Sequence, residues 1–227
     1  MSPPEDTMAQ LPRPPTAHSL TLQVNYIWGK FRNEIFSKDA DGHVTPLYDM
    51  DFRLLKPQLR FIRVVDKAQI AKGTVNGFSI SGECMIHDRK LTLKPLKRWK
   101  TQYNYLSHAL DGVPISWIAN SSMTVWDFVC VNSVTQEPIA KFAVNLWALK
   151  NVGNFYFEKS AEDIPDGLRD EVVVVGLTLL YTMTSRINNP VQLVGAVFAK
   201  PGKAEREEDQ TELELENGRQ GGKLKPS

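Results

Sequence analysis

The chain has 227 residues, 42% of them hydrophobic, with 27 basic and 26 acidic side chains and a net charge of +1. This length suits one domain of about 150–200 residues plus tails, and a charge near zero excludes whole-molecule attraction to nucleic acid or membrane. Two cysteines, Cys84 and Cys130, and an N-terminus without a basic-then-apolar signal exclude a disulfide-stapled secreted domain and point to free thiols in a reducing cytosol.

Residues 1–19 carry five prolines and read as a disordered leader. From residue 20, short β-type runs alternate with turn signals. Residues 20–27 alternate apolar and polar side chains, residues 31–36 follow less regularly, and Asp41-Gly42 marks a turn. Residues 58–65 form the next candidate strand. Residues 70–79 contain Asn76-Gly77, a strong hairpin signal because both residue types tolerate positive φ. Candidate strands 80–87, 91–96 and 99–106 follow. After the turn Asp111-Gly112 come 115–119, 123–131, 139–149 and 154–158. Ten to twelve strands at a spacing of about ten residues make the pattern of a closed barrel or a sandwich.

Residues 168–188 break the pattern. From Val172 to Ser185 there is no charged residue. Four successive valines favour a strand locally. The segment is far longer than a strand of about 5–6 residues, however. Asp166 is an N-cap candidate, Asp170 and Glu171 suit the positive end of a helix dipole, Arg186 suits the last turn, and Asn188-Asn189-Pro190 is a stop. A helix apolar on every side must be buried on every side. Fourteen uncharged residues rise about 21 Å, short of the roughly 30 Å hydrocarbon core of a bilayer. A span stretched to residue 198 would carry Arg186 and Pro190 in its middle. The reading is therefore mainly β, a closed antiparallel barrel of about 10–12 strands around one buried hydrophobic C-terminal helix. The domain covers 20–199, a charged disordered tail occupies 200–227, and the chain is not an integral membrane protein.

Leu168-Arg169-Asp170-Glu171, the apolar run from Val172 to Met183, and Arg186-Ile187-Asn188 resemble the central helix of the tubby-like superfamily. That group includes the tubby C-terminal domain, the LURP-one-related proteins and the phospholipid scramblases. The resemblance implies a barrel threaded by its helix, and a lipid partner class, since tubby domains bind phosphoinositide head groups through clustered Lys and Arg. The palmitoylated cysteine cluster of scramblases has no counterpart here.

Between Arg53 and Lys100 stand twelve basic and three acidic residues, so the remainder of the chain is net acidic. Lys94, Lys97, Arg98 and Lys100, flanked by Trp99 and Tyr103, form the candidate site for an anionic head group. The alternative for this block is a solvated strand face or loop. Arg53, Lys56, Arg60 and Arg63 have mixed strand parity and suit ion pairing instead.

No catalytic or metal motif stands. His18, His43, His87 and His108 lack ligand partners at metal spacing. An EF-hand register from Ser37 fails at Ser37 and Tyr48, so Asp39–Gly42 reads as a turn. The run from Gly77 to Gly82 misses a nucleophile elbow at Ser81. Asp49 and Asp51 share a strand face without further catalytic signal. The aromatics Trp117, Trp126, Phe128, Phe142, Trp147, Phe155, Tyr156 and Phe157 read as barrel core. The expected function is a non-enzymatic module, cytoplasmic and peripheral at membrane, that binds phosphoinositide without a cofactor. A protein partner is a second candidate, and nucleic acid is disfavoured. The alternative is a lipid-like small-molecule carrier, or an enzyme, with a cavity inside the barrel.

Overall fold

The computed structural model describes residues 19–38, 42–75, 81–96, 102–121, 126–145, 148 and 150–188, with backbone alone for 120, 121, 126 and 186–188. The expected tail and all but Ser19 of the expected leader lie outside these residues.

Twelve strands form the wall: β1 (Thr21–Ile27), β2 (Arg32–Lys38), β3 (Val44–Phe52), β4 (Leu59–Arg63), β5 (Gln69–Val75), β6 (Gly82–Ile86), β7 (Arg89–Pro95), β8 (Gln102–Ser107), β9 (Val113–Ser121), β10 (Trp126–Asn132), β11 (Pro138–Val144) and β12 (Asn151–Phe157). Each strand pairs antiparallel with its neighbours in sequence, and β12 pairs with β1 to close the barrel. Closure leaves no unpaired edge, which removes the usual template for edge-to-edge aggregation. Period-two alternation sends Leu22 and Val24, Leu59 and Phe61, Leu91 and Leu93, and Phe155 and Phe157 inward. β3 falls outside the strand runs read from sequence. Tyr48, Met50 and Phe52 alternate there with Asp49 and Asp51, but an acidic outer face and Pro46 mask the β signal.

Eight strands enclose little more than their own side chains, and twelve leave room for a helix of about 10–12 Å diameter. α1 (Asp166–Asn188) fills that room. Val172, Val173, Val174, Val175, Leu177, Leu179 and Leu180 are all buried. Each such side chain contributes about 1.5–3 kcal/mol relative to exposure, more than enough to override the helix penalty of branched residues. The helix meets strands on several sides of the wall. A Cβ at Gly73 of β5 would lie 2.5 Å from Thr178 Oγ1, and one at Gly176 would lie 2.7 Å from Phe155 of β12 and 3.0 Å from Trp117 of β9. These two glycines set the closest approach of wall and helix. Thr178 and Thr182 satisfy their buried hydroxyls by donating to the carbonyls of Val174 (2.7 Å) and Thr178 (2.8 Å).

Trp117, Phe128, Phe142, Phe155 and Phe157 are core, as read from sequence, and Phe142 stacks on Phe155 at 4.0 Å between ring centres. Tyr156 is half-buried on the opposite face of β12. Trp147 and the side chain of Trp126 lie outside the described residues. Among the described residues, no helix is long and apolar enough to cross a membrane.

Candidate functional site

Antiparallel order sorts the connections. Those after β1, β3, β5, β7, β9 and β11 fall at the carboxyl end of α1, and those after β2, β4, β6, β8, β10 and β12 at its amino end. Contacts fix the two ends. The Phe52 ring packs edge-on to Tyr181 at 4.7 Å, and the backbone N–H of Phe52 donates to the Phe31 carbonyl at 3.3 Å. At the other end Asp170 meets Tyr48 and His87.

The sequences of the carboxyl-end connections contain Lys30, Arg53, Lys56, Lys97, Arg98, Lys100 and Lys150, and no acidic residue. Those of the amino-end connections contain Asp39, Asp41, Asp66, Asp88, Asp111, Glu137, Glu158, Glu162 and Asp163 against Lys67 and Lys159. A nearly neutral chain thus becomes a barrel with connections of opposite sign at its two ends.

The head-group residues read from sequence bear on the carboxyl end. Lys94 stands half-buried near the end of β7, between the inward Leu93 and Pro95, and its carbonyl accepts from Asn104 Nδ2 at 3.0 Å. Lys97, Arg98 and Lys100 lie outside the described residues. The strand ends that their segment joins are held together by the Leu96 N–H donating to the Gln102 carbonyl at 2.8 Å. In the second basic group, Leu59 and Phe61 face the core while Arg60 lies on the outer wall opposite Asp51. Arg63 pairs with Asp66 at 3.6 Å. Arg32, which the basic-block reading left out, bridges Asp49 (2.7 Å) and Asp51 (2.8 Å), so these two carboxylates form a wall ion-pair cluster.

The amino end is polar, and its buried carboxylates are paired. Tyr48 donates to Asp170 Oδ1 at 2.5 Å, His87 Nε2 donates to Asp170 Oδ2 at 2.9 Å, and Arg169 Nε donates to the Tyr48 oxygen at 2.9 Å. Arg169 also pairs with Asp166 at 2.8 Å. Burial, and then the Asp170 charge, hold the Tyr48 phenol far above its ordinary range, so it stays protonated and donates. Burial works to lower the Arg169 pKa, but Tyr48, Asp166 and Asp170 outweigh it and the net shift is upward. Glu171, also buried, accepts from Ser107 Oγ (2.6 Å) and from the Ala109 N–H (2.8 Å). The helix begins slightly ahead of the expected Asp166 cap, since the Pro165 carbonyl already accepts from Leu168 and Arg169.

A half-open cleft of about 280 Å³ beside this network is lined by Ile86, His87, Arg89, His108, Ala109, Gly167 and Glu171. Its carboxylate and both histidines are engaged, His108 donating to the Lys90 carbonyl at 3.1 Å. Among the described residues no group of His, Cys, Asp and Glu could hold a metal ion. Burial pushes the Cys84 thiol up to about 12 and the Cys130 thiol well above its ordinary value, so neither is an activated nucleophile.

Two features escape a linear reading. Carboxylates leading into an all-buried run must themselves be buried and must find donors, which was the available signal for Asp170 and Glu171. The outward Trp28, Phe31, Leu54 and Leu55 sit in connections, where apolar residues have no core to face.

No family model matches the chain, and no characterised protein does. An X-ray structure of a protein from Arabidopsis thaliana is similar in fold, with a TM-score of 0.45 and 10% sequence identity over 76% of this chain and 94% of that one.

Proposed function

We propose that this chain is a non-enzymatic module that docks on anionic, phosphoinositide-containing membrane through the carboxyl end of its barrel, with Lys94, Lys97, Arg98 and Lys100 contacting the head groups. The observation that carries the reading is the segregation of charge between the two sets of connections. Near an anionic leaflet each basic residue contributes on the order of 1 kcal/mol. One end gathers that attraction while the acidic end points away. The tubby-like resemblance enters only as an expectation that agrees with it. The protein on this reading is cytoplasmic and peripheral.

Co-sedimentation with neutral and phosphoinositide-containing vesicles at low and high salt is the test. The parent should bind the anionic vesicles alone and release at high salt. Lys97→Glu with Arg98→Glu should abolish binding while leaving the thermal transition in place. Undiminished binding by the double variant would overturn the site assignment.

The second reading, a small-molecule carrier or enzyme with an internal cavity, needs an open barrel axis. α1 occupies that axis, which counts against it.

A further inference from the structure

The carboxyl end carries more than charge. Trp28 is 62% exposed, Phe31 67%, Leu54 101% and Leu55 81%. Trp28 and Phe31 belong to the connection after β1, and Leu54 and Leu55 to the connection after β3. The Phe52–Phe31 backbone hydrogen bond of 3.3 Å holds the two connections side by side. Tyr26 anchors Trp28 from below, edge to face at 4.9 Å, and Phe52 packs behind Tyr26 at 5.9 Å. Four large apolar side chains on a supported rim are unlike the isolated exposed hydrophobics that surfaces normally carry. The other exposed large hydrophobics among the described residues are Val44, Val65 and Val134 at the amino end and Met85 on the wall.

We infer that this rim is a bilayer-inserting edge: Trp28, Phe31, Leu54 and Leu55 enter the head-group and upper acyl region of an anionic phospholipid membrane, with Lys30, Arg53 and Lys56 at phosphate level. The inference rests on the docking reading above and adds the orientation, with the carboxyl end of α1 facing the bilayer. Charge complementarity selects the occupant. The same end of a second copy brings basic residues and no acidic one in its connections and repels, whereas an anionic leaflet attracts the basic residues and dissolves the apolar ones. Trp is enriched at that depth because its ring is apolar and its N–H polar. Burial of this kind reaches about 5–10 Å into the boundary.

The test places an environment-sensitive fluorophore on full-length Leu55→Cys and, at the opposite end, on Val134→Cys. Cys84 and Cys130 are free but buried and stay unlabelled. With phosphatidylserine and phosphoinositide vesicles, the label at 55 should shift to the blue and be quenched by nitroxide-bearing lipid, and the label at 134 should do neither. Leu54→Ser with Leu55→Ser should weaken sedimentation with those vesicles on the order of tenfold or more. Normal salt-sensitive sedimentation with a water-like label at 55 would overturn insertion and leave electrostatic docking standing. A blue shift without lipid that grows with protein concentration would overturn it in favour of self-association. Failure of the parent to sediment with any vesicle would overturn the docking reading and this inference together.

Discussion

At the amino end of α1, the buried Asp170 and Glu171 lie inside the barrel and each of their four carboxylate oxygens has a donor. At the carboxyl end, apolar side chains are exposed, in connections whose sequences carry basic residues and no acidic one. Both ends are built from the same antiparallel hairpins, so backbone geometry does not separate them. What separates them is the environment that each must satisfy. Asp170 and Glu171 give up hydration and recover it from Tyr48, His87, Ser107 and the Ala109 amide. Trp28, Phe31, Leu54 and Leu55 remain largely exposed to water. Folding accounts for the first end, and the proposed membrane contact would account for the second.

The sharpest way to test this contrast is to damage the amino end. Glu171→Ala removes the acceptor for the buried Ser107 hydroxyl and the part-buried Ala109 N–H, each worth about 1–3 kcal/mol when orphaned in a buried setting. The denaturant midpoint should fall by the equivalent of about 2–5 kcal/mol. The folded fraction should bind anionic vesicles as before, and a selective loss of vesicle binding at full stability would reverse the roles of the two ends.

Next is charge at the other end. Lys30→Glu with Arg53→Glu should weaken vesicle binding by on the order of 2 kcal/mol or more, about thirtyfold, since each site changes sign. Thermal stability should hold, because Lys30 has only an exposed 3.4 Å pair with Glu34. Isothermal titration at two salt concentrations would show whether the loss is electrostatic.

His87→Ala tests a smaller term. Its ring bridges solvent and the buried Asp170, and the carboxylate keeps Tyr48. A destabilisation of about 1 kcal/mol by thermal melting is expected. A collapse of the fold would mean that His87 carries the pairing alone. The smallest effect belongs to Glu137→Lys with Glu162→Lys. Making the amino end less acidic should change stability by under about 0.5 kcal/mol and leave vesicle affinity within about twofold. A large gain in affinity would mean that the barrel does not dock with a fixed end down.

Much of this architecture is legible in the chain because it is written locally. Asn76-Gly77 sits in the connection between β5 and β6. Asp111 and Gly112 adopt φ of 50° and 85° in the turn before β9. The four valines from Val172 to Val175 set local preference against burial pattern, and burial from all sides decides for helix. β3 is hidden because its outward face is occupied by partners of Arg32, an ion-pair logic invisible along one strand. The site is legible only in part. The clustering of Lys94, Lys97, Arg98 and Lys100 is local, so it can be read. Their company with Lys30, Arg53 and Lys56 depends on which connections share an end, and that requires the full strand order. Glu171 and Ser107 lie 64 residues apart, and no spacing rule links them.

The helix comes after all twelve strands in the chain, yet it is the axis on which they close. During translation at about 5–20 residues per second, the inward face of β1 waits roughly eight to thirty seconds for the end of α1, and that of β12 only about two to six seconds. Nascent chains should therefore be strong clients for chaperones until α1 leaves the ribosome, and a stop codon anywhere before Asp166 should yield an aggregate and not a smaller barrel.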